Sequence, residues 1–256
     1  MISPILYMKK ALIIVIAAMA AASCSLIGVS YEVGNGVSAD TVIEVGEFDA
    51  VSSEGSISVI CSQSESETSV VLTCDENLAE FYQIEVIDGT LRVKTKPMTS
   101  ISHKVKSYVT VLSPKLNSVS VSGSGRCHIT GPITTDGDVT LTDSASGSIN
   151  ADGIITCKSF SVKLSGSGAA HIAGVQAETA LFKTTGSGAI HADGITADNI
   201  TATSSGSGSL YLVFKDAGSI DVSLSGSGSA HLSGNARSLK SNTSGSGRVD
   251  SKNLSL

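Results

Sequence analysis

The sequence has no tryptophan, and aromatic residues make up only 4% of it, so any core must be built mainly from Val, Ile, Leu and Ala. Charge is also scarce, at 16%, and the balance is −6 with no basic stripe, which argues against a nucleic-acid partner. Low charge and 26 glycines would permit disorder. The 41% of hydrophobic residues, arranged in alternation, instead argue for a packed β protein. The longest apolar run, Ala11 to Ala22, is too short to span a bilayer comfortably.

That run suits the core of a signal peptide, because Lys9 and Lys10 precede it and Ala21-Ala22-Ser23-Cys24 ends it. Translation from Met8 would give the usual short basic start. Small residues before a single cysteine are expected to direct lipidation of Cys24 after removal of residues 1–23, leaving 24–39 as a lipid-anchored linker. Ser25 is not the aspartate that commonly retains lipoproteins at the inner membrane, so an outer-membrane lipoprotein is expected, on either its periplasmic or its surface face. Cys61, Cys74, Cys127 and Cys157 remain, at spacings unlike those of a zinc site.

What the chain has in abundance is Gly-Ser-Gly. The unit starts at Gly123, Gly166, Gly186, Gly206, Gly226 and Gly245, and a degenerate copy stands at Ala145-Ser146-Gly147. Taken singly, each would read as a flexible linker. The columns around them say otherwise. Three residues after the last glycine stand His128, Asn150, His171, His191, Tyr211, His231 and Asp250. The residues one before that column (Cys127, Ile149, Ala170, Ile190, Leu210, Ala230, Val249) and most of those one after it are apolar. Apolar–polar–apolar is the signature of a strand with one buried face, so the polar column points outward.

Seven units of ~20 residues, each of two or three short strands, predict coils of a right-handed parallel β-helix in which like residues stack into ladders, with a β-sandwich or open sheet of similar hairpins as the rival. Gly-Ser-Gly is then a tight corner, where glycine supplies special backbone angles and permits close approach of successive coils. Cys127 falls in a buried column and Cys157 in a small-residue column, where both serve as small hydrophobes rather than as a redox pair. The helix is expected over 117–256. Residues 40–116 lack the repeated corner, and the Asp88-Gly89 turn between "YQIEVI" and "TLRVKT" predicts a hairpin. This segment is expected to be an antiparallel N-terminal cap over the end of the helix.

The opening "FDAVSSEGSISVIC", the "IDGTLRV" hairpin, "VTVLSPKLNSVSVSGSG" and the later Ser-Gly-Ser-Gly coils together resemble a bacterial family of unknown function named "putative auto-transporter adhesin, head GIN domain". The resemblance runs from about Glu44 to Leu256. It implies an all-β, β-helical protein, secreted or lipid-anchored, and it supplies no catalytic residues.

The residues themselves offer little catalytic chemistry. Asp152 and Asp193 stand two coils apart, about 10 Å at the usual strand spacing, on an open face. That is a poor acid–base pair. His128, Asn150, His171, His191, Tyr211 and His231 form either a stacked polar ladder that stabilises the sheet face or a candidate binding strip, with no metal and no cofactor expected, since a straight ladder does not converge on an ion. The expected protein is a non-catalytic envelope module that contacts the membrane through its N-terminal lipid and takes a glycan or protein ligand. The alternative is a glycan-active β-helix enzyme, a lyase or hydrolase.

Overall fold

The computed structural model describes residues 29–256. The expected signal peptide and the lipidation residue Cys24 lie outside the described residues. The remainder is an all-β solenoid of about seven turns that closes at its N-terminal end in antiparallel strands.

The repeat predicts the coil well. In the regular part each coil is one long bent strand, running from one Gly-Ser-Gly corner to the next: Ala169–Gly186, Ala189–Gly206, Ser209–Gly226 and Ser229–Gly245. These pair in parallel, with Gly186 opposite Gly206, Gly206 opposite Gly226 and Gly226 opposite Gly245. The corners themselves are hydrogen-bonded from coil to coil. Ser187 N–H donates to Gly166 O at 2.8 Å, Ser207 to Gly186 and Ser227 to Gly206, both at 2.9 Å. Such contact leaves no space for side chains, which is why the corner is glycine.

Inside, the alternating apolar columns form continuous ladders. Leu141, Val162, Phe182, Ala202 and Val222 stack in register, and all are buried. With few aromatics to spend, the chain places Phe160 and Phe182 against each other at 5.8 Å between ring centres. Cys61, Cys74, Cys127 and Cys157 are all buried free thiols. Cys61 and Cys127 touch at 3.7 Å between sulfurs. That contact and burial push the Cys61 thiol up, so it is an unreactive core group.

The N-terminal segment holds the expected antiparallel strands, and the parallel stack extends into it as well. Ala50–Gly55 pairs in parallel with Ser118–Gly123, and Ser58–Gln63 with Arg126–Thr130. Gly55 lies opposite Gly123, so Gly55-Ser56-Ile57 is a further corner. Thr90–Thr95 and Tyr108–Ser113 continue the two faces one step lower, again in parallel. Only then do antiparallel strands appear. Tyr82–Ile87 pairs with Thr90–Thr95 through a turn with positive φ at both Asp88 and Gly89, as the hairpin signal predicts. Ser69–Asp75 lies antiparallel on Tyr108–Ser113, and Ser38–Val42 on Ser69–Asp75. The short 3-10 helix Glu76–Phe81 buries Leu78 completely. The last coil ends in exposed Ser241, Asn242 and Thr243, so its edge is polar.

Candidate functional site

The outward column lies where alternation puts it. His128 pairs with Asn150, Asn150 with His171, His171 with His191, His191 with Tyr211, and Tyr211 with His231. All six are half-buried or exposed, while Ala170, Ile172, Ile190 and Ala192 beside them are buried. Registered strands bring like rings together at the inter-strand spacing. His171 and His191 stack at 4.8 Å between centres and 11° between planes. His191 and Tyr211 follow at 4.3 Å and 6°, then Tyr211 and His231 at 4.9 Å and 6°. Four rings thus form one continuous stack on the side of the solenoid.

Two residues further along each coil is a second outward position, holding Asp152, Ala173, Asp193, Val213 and Ser233. The two rows border shallow depressions. One is lined by His128, Asn150, Asp152, His171, His191 and Asp193. Another is lined by Tyr211, Val213, His231, Asp250 and Asn253. His128 Nε2 meets the Asp152 carboxylate at 2.5 Å, an ion pair when the ring is protonated. Sequence reasoning places Asp152 and Asp193 on this face but does not reveal the His128–Asp152 contact, because that contact links different columns of successive coils.

The fifth histidine is elsewhere. His103 stacks on Tyr82 at 6.2 Å and contacts the Ser107 hydroxyl at 2.8 Å. Nearby Asp75 is wholly buried. Burial pushes its carboxyl up, but backbone N–H groups of Gly36, Lys104 and Val105, helped by His103, outweigh that and hold it low.

Among the described residues, no three His, Cys, Asp or Glu side chains are placed to hold a metal ion. The strip offers ring edges, imidazole nitrogens and two flanking carboxylates along an open surface.

Partial burial and the neighbouring His171 charge push the His191 imidazole below its ordinary value, with Asp193 opposing. A depressed imidazole favours folding above the unfolded histidine pKa, and that contribution is lost as pH falls through the folded value. Acid is therefore expected to loosen this face. Hydrogen exchange of residues 189–192, followed from neutral to mildly acidic pH, should show protection falling, and less so in His171→Asn. Protection that holds constant across the histidine range would refute this reading.

Comparison with known proteins follows the architecture. No curated protein matches the chain. A crystal structure described as a "putative adhesin" from Bacteroides fragilis superposes with a TM-score of 0.74 at 24% identity, over 85% of this chain and 98% of its own. A protein from Parabacteroides distasonis described as a "putative lipid binding protein" gives 0.74 at 20% identity, over 86% and 99%. A "putative adhesin" from Parabacteroides merdae gives 0.67 at 22% identity, over 86% and 98%. At these identities the likeness is one of fold. The family described as "Putative auto-transporter adhesin, head GIN domain" is matched directly, over residues 47–217 and 184–256, and the chain belongs to it.

Proposed function

We propose that this chain is a non-catalytic cell-envelope lipoprotein, held to the outer membrane by lipid on Cys24, and that it acts as an adhesion module through the strip of His128, Asn150, His171, His191, Tyr211 and His231. The observation that carries this reading is the stack of four outward-facing rings, His171 to His231, beside acidic depressions. The stacked rings present their edges outward, and the imidazole nitrogens and Tyr211 hydroxyl on those edges, with the nearby amide and carboxylate groups, suit the hydroxyls of sugars. The family's name and the names of the Bacteroides fragilis and Parabacteroides merdae neighbours support adhesion, and none of the three neighbours' names speaks of catalysis. No helix among the described residues is long and apolar enough to cross a membrane, so the lipid carries the anchoring in this reading.

A glycan array probed with the mature chain and with a His171→Ala/Tyr211→Ala variant tests it. The parent should retain a set of glycans unaltered in mass, and the variant should lose them with its thermal midpoint little changed, as expected for exposed positions. Glycan binding that survives the double substitution would remove the strip from the site, and cleavage of the bound glycan would make the protein an enzyme.

A further inference from the structure

We propose that the N-terminal end of the solenoid is a bilayer-docking surface, in which Val29, Tyr31, Val33 and Met98 enter the lipid interface while Lys96 and Lys104 meet anionic headgroups. The proposal rests on the lipid-anchored reading above.

The apolar part comes from strand alternation. Val29, Tyr31 and Val33 share one face of the strand Ser30–Val33, with Ser30 and Glu32 on the other. They are 57%, 67% and 46% exposed. The strand pairs in parallel with Thr99–Ser102, and Ser30 N–H donates to Met98 O at 2.9 Å. The pairing sets Met98, itself 55% exposed, beside Val29. Of the eleven exposed large apolar side chains among the described residues, five fall within residues 29–42, and Met98 is tied to the first strand by the Ser30 N–H bond. Of the other five, Tyr211 and Val213 share the depression on the side strip, and those at 87, 154 and 256 stand apart in sequence. Clustered apolar exposure marks an interaction site, whereas scattered exposure needs no explanation.

The loop that carries Met98 has charge of one sign, while Glu32 points to the other face of the first strand. No aspartate or glutamate occurs between Asp88 and Asp136, while Arg92, Lys94, Lys96, Lys104 and Lys106 lie within that stretch of an otherwise acidic chain. Arg92 approaches Glu54 and Lys106 lies over Tyr108. Lys96 and Lys104 are exposed and stand on either side of Met98 in sequence. The Lys104 side chain lies beside Gly36. The platform is also fixed. The Asp75 carboxylate accepts from Gly36 N–H at 2.8 Å and from Lys104 N–H at 3.0 Å, joining the segment after the first strand to the lysine-bearing loop.

The position of the cluster in the chain selects the occupant. Cys24 precedes Val29 by five residues. Even fully extended, that linker reaches only about 17 Å. A diacylated or triacylated Cys24 would hold this apolar, basic surface at the membrane, where its side chains meet the lipid interface and headgroups.

The absence of tryptophan provides the test. Tyr31→Trp in the full chain gives a single reporter on the docking surface, and Tyr211→Trp gives its control on the side strip. Each variant is bound to vesicles of phosphatidylglycerol and phosphatidylcholine whose acyl chains carry bromine. The indole of the Tyr31→Trp chain is expected to shift to the blue and be quenched about twofold, with that of the Tyr211→Trp chain unaffected. Lys96→Glu/Lys104→Glu is expected to weaken binding of the Cys24→Ala chain to these vesicles roughly tenfold, and to leave neutral vesicles indifferent. If membrane-bound Tyr31→Trp protein is as unquenched as the control, the docking surface is overturned. Mass analysis of Cys24 reports separately on the anchor. If no lipid is found, the anchoring reading fails, while quenching of the Tyr31→Trp reporter in the unlipidated chain still upholds docking and its absence there overturns it.

Discussion

Gly186→Val is expected to destabilise the protein by about 3–4 kcal/mol, because the new side chain meets two separate penalties. The backbone at Gly186 has φ +144°, a conformation that β-branched residues resist. An added Cβ would also lie 2.5 Å from Gly166 O and 3.0 Å from Gly166 N in the coil beneath. Those atoms belong to backbone that is itself hydrogen-bonded, since Gly166 O accepts from Ser187 N–H, so they cannot withdraw without breaking the corner. At Gly188 only the contact penalty applies, with Cβ 2.7 Å from Gly168 O. Gly188→Val should therefore cost less, roughly 1–3 kcal/mol. Ser187 between them is exposed, and Ser187→Val should stay within about 0.5 kcal/mol. Denaturant unfolding of the three variants reads this order directly. Because coils touch only their neighbours, the Gly186→Val protein should also lose hydrogen-exchange protection first in the coils around residue 186. An unchanged midpoint for Gly186→Val would mean that these units are not packed corners.

The same contacts show why the sequence reveals some coils and hides another. Columns are legible where every coil meets similar neighbours, as with His171, His191, Tyr211 and His231. The corner at Gly55-Ser56-Ile57 escapes because Ile57 replaces the second glycine. An added Cβ at Gly55 would have nothing within 4 Å, so no corner crowds it from below. The chain beneath, from Thr95 to Tyr108, spreads into the lysine-bearing loop instead of turning tightly. Glycine is needed at 55 for its φ of +102°, but position 57 is free to be a buried isoleucine. The Asp75 staple and the His103–Tyr82 stack are similarly hidden, because each joins segments far apart in sequence and neither repeats. The outward direction of the strip is legible from period-2 alternation. Its acidic partner Asp152 is not tied to His128 by any sequence signal, because the contact crosses columns.

A further column carries the second large effect. Two residues before each corner, the side chain points into the core: Ser53, Val121, Asp143, Leu164, Thr184, Ser204 and Leu224 stack in register and are buried. Where this residue carries a hydroxyl, it donates to the carbonyl four residues on. Ser53 reaches Ile57 O at 3.0 Å, Ser204 reaches Gly208 O at 3.0 Å and Thr184 reaches Gly188 O at 3.4 Å. Asp143 occupies this position with 1% exposure. Its Oδ1 accepts from Ala145 N–H at 2.9 Å, but its Oδ2 has no partner. The corner of the next coil lies against that oxygen, since an added Cβ at Gly168 would fall 1.8 Å from it. Burial raises the Asp143 carboxyl above its ordinary value, with the N–H groups of Ala145 and Gly147 opposing. When protonated, it can donate toward Gly147 O as the hydroxyls in this column do. A raised carboxyl favours folding below the unfolded aspartate pKa, and that contribution disappears as pH rises through the folded value. At neutral pH an ionised Asp143 would leave a buried, half-satisfied charge. Asp143→Leu, which matches Leu164 above it and Val121 below in size class, is thus expected to stabilise the protein by roughly 2 kcal/mol at pH 7. For a chain of this size that is a rise of about 4–8 °C in thermal midpoint. The gain should shrink near pH 4, where the protonated acid satisfies itself. Parallel melts of parent and variant at both pH values decide the matter, and a variant less stable than the parent at pH 7, or a gain indifferent to pH, would show that Asp143 is not a buried acid held against its charge.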